Sequence, residues 1–302
     1  MSEEQVRHGI VVGVDGSPSS DVAVAWAARD AALRGVPLTF LHVLPMAAGP
    51  AYLDMGLPDD YWGWQQKRGQ EVVALARDIA NKATAGQERL QLDAAVVSGN
   101  TVGTLVDRSR RADLLVVGSR GLGKWSRRVL GSVSSSLVRH AHCPVAVIHD
   151  ESHPADDAPV VVGVDGSPAS ELATEIAFDE ASRRGAELVV VHTWNDVDYE
   201  FPDVKWTDLT PREDRMVSEQ LAGWCARYPD VVVRRELMRG RPARELVEQS
   251  DGAQLVVVGS RGRGGFVGMM LGSVSAAVVE SVRVPVIVAR GSAETDGLPG
   301  RQ

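Results

Sequence analysis

The chain has 302 residues, 44% of them hydrophobic and 24% charged, a composition typical of a globular protein long enough for two domains. Its net charge of −8, with no block of basic residues, disfavours nucleic acid as a partner. No apolar run approaches the roughly 20 residues of a membrane-spanning helix, and the N-terminus lacks the basic and apolar regions of a signal peptide. We therefore expect a cytoplasmic protein without membrane contact, with Cys143 and Cys225 reduced and no metal site.

An internal repeat determines the domain organisation. The stretch Val11–Pro18 recurs letter for letter at Val161–Pro168, an offset of 150 residues. A second pattern, an apolar run followed by Gly-Ser-Arg-Gly, ends at Gly121 and returns with its end at Gly262, an offset of 141. Two copies of one domain therefore lie in tandem. We predict domain 1 at residues 1–149, a linker at 150–158, domain 2 at 159–290 and a flexible tail at 291–302.

Each copy alternates short apolar runs with longer helical segments, separated by Gly, Pro and Asp. The predicted strands of the first copy are Gly9–Val14, Leu38–Leu44, Leu90–Val97, Leu114–Val117 and Pro144–Ile148. Its predicted helices are Ser19–Arg34, Gln65–Ala85, Asn100–Arg110 and Ser132–Ala141, and Met46–Trp64 is expected to be irregular. The second copy repeats the order, with strands at Val160–Val164, Leu188–His192, Val231–Leu237, Leu255–Val258 and Val284–Ala289. This alternation predicts an α/β fold in which each domain is an open parallel sheet with right-handed crossovers.

The glycine-containing loop after the fourth strand, together with the helix that follows it, is suited to bind an anion. Gly118 and Gly121 would let the backbone approach phosphate oxygens, because a Cβ atom is absent. Gly131-Ser132 would begin the next helix and add N–H groups, a positive dipole end and a hydroxyl. If strands one and four are neighbours, Asp15 comes close enough to bind ribose hydroxyls, so the assembly suits a nucleoside polyphosphate. The second copy has the same residue types at Asp165, Gly259, Gly262, Gly272 and Ser273.

Two other nucleotide motifs are excluded by the residues present. Gly118 to Lys124 matches the first seven positions of a P-loop, but Trp125 stands where the metal-binding Ser or Thr belongs. The turn Gly13-Val14-Asp15-Gly16 spaces its glycines differently from a dinucleotide fingerprint. The residues therefore indicate a phosphate site of another kind.

With Asp15 after the first strand, the pattern Gly-x2-Gly-x9-Gly-Ser that begins at Gly118 resembles the universal stress protein family, in its ATP-binding, tandem-domain form. The resemblance covers residues 7–149 and 158–290, and motif, aspartate turn and element order agree in both copies. It implies a Rossmann-like, five-stranded parallel sheet of order 3-2-1-4-5 in each domain. It also implies that ATP is the cofactor, often with Mg²⁺, and that ATP is hydrolysed poorly.

The resemblance also assigns binding residues, position by position, in both copies. In the first copy they are Gly13, Asp15, Val43 near the adenine, Gly118, Ser119, Gly121, Gly131, Ser132, Val133 and Ser134. In the second copy they are Gly163, Asp165, Thr193, Gly259, Ser260, Gly262, Gly272, Ser273, Val274 and Ser275. It assigns no catalytic residue and no metal ligand.

The two copies differ beside the glycine motif. The first has Asn100-Thr101 where the second has the family-like Arg241-Pro242. The first loop is bulky and basic, with Lys124, Trp125, Arg127 and Arg128. The second loop has smaller residues at this place, namely Gly264 and Gly265, followed by Phe266. We therefore expect the two sites to differ in affinity.

Structural alternatives remain open for these residues. The glycine loops could be simple strand-to-helix turns, and Asp15 and Asp165 could serve only to cap the next helix. His42 and His192 are expected to be core or rim histidines rather than bases or ligands. Six tryptophans are expected to pack between elements: Trp26, Trp62, Trp64, Trp194, Trp206 and Trp224. The fifth strands are expected to pair across the domains, which would make the chain a pseudo-dimer, with a homodimer as a further option.

The function expected from this sequence is ATP binding by a nucleotide-dependent regulator of stress response or growth, which acts on an unidentified protein partner. Binding alone can carry the signal, because a ligand stabilises the folded state that it occupies. Two alternatives remain. One is a slow ATPase or nucleotidyl-transferring enzyme that autophosphorylates at a loop serine. The other is a scaffold whose sites are empty or bind another adenine nucleotide such as cyclic AMP.

Overall fold

The computed structural model describes residues 9–45, 60–87, 89–122, 130–149, 155, 157–194, 206–263 and 270–291. These residues divide into two compact units, one within residues 9–149 and the other within residues 155–291. Most of the predicted linker, the predicted tail beyond Gly291 and the loop residues that distinguish the two copies (124–128 and 264–266) lie outside the described residues.

The described part of the first unit forms a parallel five-stranded sheet with four helices. Its strands are β1 (Ile10–Gly13), β2 (Leu38–Pro45), β3 (Leu92–Gly99), β4 (Leu114–Gly118) and β5 (Val145–Ile148). Its helices are α1 (Pro18–Arg34), α2 (Tyr61–Ala83), α3 (Thr101–Ser109) and α4 (Ser132–His140). Because β1 pairs with both β2 and β4, the order is β3-β2-β1-β4-β5, and the predicted order is confirmed.

The described part of the second unit repeats this arrangement. Its strands are β6 (Val160–Gly163), β7 (Leu188–Trp194), β8 (Val233–Arg239), β9 (Leu255–Gly259) and β10 (Val286–Ala289). Its helices are α5 (Pro168–Arg184), α6 (Trp206–Arg227), α7 (Pro242–Ser250) and α8 (Ser273–Ser281). The strand order is β8-β7-β6-β9-β10, with β6 between β7 and β9.

The central strands are short valine-rich runs because helices cover both faces of each sheet. Every residue of the central strands β4 and β9 is buried. In the first unit α1 contacts α2 and α3 contacts α4, and right-handed crossovers place these two pairs on opposite faces. The ends of the strands are therefore where a ligand can enter. Among the described helices, none combines the length and the apolar character that a transmembrane span requires.

Local capping signals set both ends of α1. The Ser17 hydroxyl accepts a hydrogen bond from the backbone N–H three residues later, at 3.2 Å, and Pro18 begins the helix. At the other end Gly35 adopts the left-handed conformation, with φ of 64°. Helix α5 has the same caps, Ser167 and Gly185. The predicted helix Ser19–Arg34 therefore differs from the observed α1 by a single residue at its start.

We expect Gly35→Ala to lower the free energy of unfolding by about 1 kcal/mol, because an L-residue is strained in the left-handed region. A Cβ atom at this position would meet nothing within 4 Å, so the backbone conformation alone determines the effect. Gly252→Ala is the matched control, because its Cβ would be equally uncrowded and its φ is not positive. Urea denaturation measures both variants, and equal stability would contradict the prediction.

Helix α2 begins at Tyr61, four residues before the predicted start. Glycine and aromatic residues are weak helix formers, which made this stretch look irregular in sequence. The Gln65 amide donates to the Tyr61 hydroxyl at 2.7 Å, one turn away, and this bond supports the early start. Trp62 and Trp64 are 51% and 56% exposed, so the prediction that they pack between elements is wrong. Trp224 does pack between helices, stacked on Phe178 of α5.

Candidate functional site

A cavity of about 510 Å³ opens in the first unit at the carboxyl ends of β1, β2 and β4, beside the start of α4. It is lined by nine of the ten residues predicted for this copy: Gly13, Asp15, Val43, Gly118, Gly121, Gly131, Ser132, Val133 and Ser134. These residues converge because β1 and β4 are neighbours that end at the same edge of the sheet.

Ser119, the tenth predicted residue, is 4% exposed and is not part of the cavity lining. Its carbonyl oxygen accepts the Gly131 N–H at 2.8 Å, and its own N–H donates to the Ile148 carbonyl at 2.8 Å. The backbone of Ser119 thus ties the loop to the start of α4 and to the neighbouring strand. The structure gives this residue a role in shaping the loop.

Asp15 places one carboxylate oxygen in a turn and the other beside the glycine loop. Its Oδ1 accepts the Ser17 N–H at 2.9 Å, which forms the turn that leads into α1. Its Oδ2 faces the loop, since a Cβ atom added to Gly121 would lie 2.7 Å from it. Among the described residues, no group donates a hydrogen bond to this Oδ2. The turn role proposed as an alternative is therefore present, and one oxygen remains for a ligand.

A second carboxylate lies close by on the first turn of α1. Burial raises the pKa of Asp21 above its ordinary value, and the negative charge of Asp15 raises it further. Arg120, between the two loop glycines, contributes a positive charge to the cavity lining. The site therefore contains charges of both signs at its entrance loop and turn.

Gly118 is a glycine because the protein's own atoms fill the space that a side chain would take. A Cβ atom there would lie 2.6 Å from the Ser19 hydroxyl oxygen and 2.7 Å from the Ser19 carbonyl oxygen. The second unit repeats the contact, with a Cβ at Gly259 placed 2.8 Å from the backbone of Ala169. We expected these glycines to admit phosphate oxygens. The structure shows that the strand end also packs closely on the helix that follows β1 or β6, and the approach of phosphate oxygens stays a prediction.

Helix α4 presents its N-terminus to the cavity. Its cap residue, Gly131, is extended (φ −62°, ψ 151°) and provides no side-chain bond to the first N–H groups. Ser132 and Val133 line the cavity at this positive end of the helix dipole. The Ser134 hydroxyl donates to the Gly118 carbonyl oxygen at 2.7 Å and so fixes the helix to β4. The first turn of α4 is therefore suited to hold an anionic group.

Sequence patterns did not identify the apolar wall of the cavity, which includes Leu41 of β2, Leu105 of α3 and Val117 of β4. Leu41 lies two residues before Val43 and hence on the same strand face, so the strand period could have identified it. Leu105 belongs to α3 and packs over Gly13, since a Cβ atom added to Gly13 would lie 3.4 Å from the Leu105 side chain. The remaining lining residues are Val14, Ser20, Thr101, Arg120, Leu122 and Leu130.

The second unit brings its predicted residues to the matching strand ends. Gly163 ends β6 and Asp165 follows it, and Thr193 lies on β7. Gly259 ends β9, and Ser260 and Gly262 follow it. Gly272 caps α8, which begins with Ser273, Val274 and Ser275. The Ser275 hydroxyl donates to the Gly259 carbonyl at 2.5 Å, and Asp165 Oδ1 accepts the Ser167 N–H at 2.9 Å, as in the first unit. Asp165 Oδ2 additionally accepts the Arg263 N–H at 3.0 Å.

The two strand histidines face away from these sites, because neighbouring residues of a strand point to opposite faces. The Nδ1 atoms of His42 and His192 lie 2.7 and 2.8 Å from the carbonyl oxygens of Val14 and Val164. His192 Nε2 also lies 3.1 Å from Glu213 Oε2, with both residues 4% exposed. The prediction of core or rim histidines is confirmed. Within the part of the chain that the structure describes, no three His, Cys, Asp or Glu side chains are grouped to hold a metal ion.

Comparison with known proteins identifies the family. The profile of the universal stress protein family matches residues 7–149 and again residues 158–290. The chain is 50% identical over 298 residues to universal stress protein Rv2623 of Mycobacterium tuberculosis, covering 97% of this chain and 99% of that protein. It is also 50% identical over 296 residues to Rv2005c of the same organism, covering 97% and 100%. The crystal structure of a universal stress protein from Archaeoglobus fulgidus superposes with a TM-score of 0.68 at 23% identity, over 95% of this chain and 97% of that one. The chain thus belongs to the universal stress protein family and carries two family domains in tandem.

Proposed function

We propose that this universal stress protein binds ATP in the cytoplasm as a nucleotide-dependent regulator of stress response or growth, and that occupancy carries the signal. The supporting observation is the cavity of about 510 Å³ at the strand ends, where a carboxylate, an apolar wall and a helix N-terminus meet. Its volume lies in the range of roughly 300–1,000 Å³ that is usual for small-molecule sites.

The lining of the cavity suits the three parts of a nucleotide. The apolar side chains of Leu41, Val43 and Leu105 would pack on the flat face of the base. Asp15 Oδ2 would accept hydrogen bonds from the ribose hydroxyls. The N–H groups at the start of α4 and the Arg120 guanidinium would bind the phosphates. Because the chain carries a net charge of −8, these local groups must provide the attraction for a polyanion.

The residues at the cavity also fit Mg²⁺ as a companion of the phosphates. Mg²⁺ usually keeps several waters and binds mainly through phosphate oxygens, with few protein ligands. Ser132, exposed at the start of α4, offers a hydroxyl of the kind that P-loop proteins use for this ion. The ion would neutralise phosphate charge near Asp15, and no dedicated cage of protein ligands is needed.

Ligand-linked stability supplies a mechanism that needs no chemistry on ATP. A nucleotide that binds only the folded state stabilises it by about 2.7 kcal/mol at a hundredfold excess over Kd. A protein partner that recognises the occupied form would then respond to the ATP concentration. The cavity supports this view over catalysis, because its described lining contains no His, Cys, Lys or Glu to pair with Asp15 as acid and base.

Mild denaturation of the purified chain, followed by identification of the released small molecules, tests the proposal. Recovery of ATP, or an increase in melting temperature on addition of Mg-ATP, is the expected result. Recovery of cyclic AMP would show that cyclic AMP, and not ATP, is the ligand. Steady phosphate release that Asp15→Ala abolishes would favour the slow ATPase. A protein that carries no nucleotide and does not respond to any adenine nucleotide would disprove the proposal.

Asp15→Ala should weaken ATP binding at the first site by about 10- to 100-fold, the usual effect of losing hydrogen bonds to a charged acceptor. Titration calorimetry would measure the affinity, and a thermal melt would verify that the variant is folded. Asp93→Ala is the matched control, because it removes an equal charge from an exposed position on β3. Equal affinities for the two variants would refute the ribose role of Asp15.

A further inference from the structure

Arg263 lies across the aspartate turn of the second unit. Its N–H donates to Asp165 Oδ2 at 3.0 Å, and its Nη2 contacts the Met216 sulfur of α6 at 3.7 Å. The guanidinium rests directly on Gly166: a Cβ atom added to that glycine would collide with Arg263 Nη2 and lie 2.8 Å from the Gln220 amide nitrogen. The side chain therefore occupies the space between the turn and α6.

The first unit lacks this contact at the equivalent position. Leu122 corresponds to Arg263 in the repeat, is 64% exposed and lines the cavity. The turn packs directly on α2, because a Cβ at Gly16 would lie 3.2 Å from Val72. Among the described residues, Asp15 uses one carboxylate oxygen for the turn and accepts no bond at the other.

We propose that Arg263 is a built-in competitor of the nucleotide at the second site, so that the first site fills at lower ATP concentration. This inference rests on the proposed function and specifies why the two ATP sites of the chain differ in affinity. At Asp15 the ribose hydroxyls displace only water from Oδ2. At Asp165 they must displace the Arg263 N–H, and the hydrogen bond that is lost offsets the bond that is gained.

The Arg263 side chain determines the strength of this competition because it anchors the backbone that carries the N–H group. Its contacts with Gly166 and Met216 hold residue 263 against the turn. A second bond acts in the same direction, since the Ser167 hydroxyl donates to the Arg261 carbonyl at 3.4 Å. A leucine at position 263 would keep the N–H group and remove the anchor, as in the first unit.

The test measures Mg-ATP binding to the full chain by titration calorimetry. Asp15→Ala weakens the first site and leaves the second unchanged, and Asp165→Ala does the reverse, so a two-site fit of each titration gives the affinity of the unchanged site. We expect the Asp165→Ala chain to bind more tightly than the Asp15→Ala chain. Adding Arg263→Leu to Asp15→Ala should tighten the second site by about tenfold, the value of one hydrogen bond to a charged group.

Arg244→Leu on the same background is the matched control, because it removes an equal charge from the exposed face of α7. It should leave the second-site affinity unchanged. Equal affinities of the two unchanged sites, or second-site binding that is unchanged or weaker with Arg263→Leu, would overturn this inference and leave ATP binding intact. No binding by any chain would overturn the proposed function and this inference together.

Discussion

His192→Leu is expected to destabilise the second unit by about 1–3 kcal/mol, the range for removing one partner of a buried hydrogen bond. His192 and Glu213 are each 4% exposed and their side chains meet at 3.1 Å. Without the imidazole, the Glu213 carboxylate loses this hydrogen bond in an environment that gives little access to water. The Val164 carbonyl also loses its contact with His192 Nδ1.

The first unit provides the matched control for this prediction. His42 makes the same contact with the Val14 carbonyl, at 2.7 Å, but is more exposed, and helix residue Gly69 packs beside its ring. His42→Leu should therefore cost only about 1 kcal/mol, the value of an ordinary hydrogen bond. Hydrogen exchange of the β2 and β7 amides measures the two effects separately. Equal losses in the two units would show that the pair with Glu213 contributes nothing.

Gly118→Ala should lower stability toward the upper end of the roughly 1–3 kcal/mol that overpacking costs, and it should also weaken ATP binding. The added methyl group would lie 2.6–2.7 Å from Ser19, and part of that contact is backbone that cannot rotate away. Relief requires a shift of β4 relative to the start of α1, which carries the turn of Asp15. The strand end and the turn both line the cavity, so the site is distorted together with the fold.

Gly223→Ala is the control for Gly118→Ala, because its Cβ would meet nothing within 4 Å on the exposed side of α6. This variant should be stabilised by about 0.5–1 kcal/mol, since alanine favours the helix. Chemical denaturation and ATP titration of both variants would test the argument. A Gly118→Ala chain as stable as wild type would show that the strand end relaxes without cost.

Much of the fold could be predicted because local chemistry and packing agree. The repeated Asp-Gly-Ser-Pro turn and the capping glycine determine α1 almost to the residue. The polar residues after β1 and β4 can meet only if these two strands are neighbours. The pairing of Ile10 with Leu114 confirms that β1 and β4 are neighbours. The start of α2 was missed, because the bond between Tyr61 and Gln65 overrides the weak propensity of the intervening residues.

The candidate site was predictable where main-chain geometry demands a residue type and unpredictable where packing decides. Glycines, the aspartate and the helix-starting serine could be assigned from their spacing. Leu105 could not, since its place above Gly13 depends on how α3 crosses the sheet. Ser119 was expected at the ligand, but its burial and its bonds with Gly131 place it in the loop framework. Arg263 lies one residue beyond the glycine pair, where the motif specifies nothing.

The internal packing of Gly118 and Gly259 has a consequence for the evolution of duplicated domains. A domain copy that lost its ligand would still be selected to keep these glycines, since folding alone demands them. The presence of the glycine motif therefore indicates common ancestry and a foldable domain, and it is a poor marker of retained ligand binding. To find paralogues that have lost nucleotide binding, two positions are more informative than the glycines. They are the aspartate after the first strand and the residue that follows the second loop glycine. The second of these positions already differs between the two units, as Leu122 and Arg263, while both units keep the same strand order.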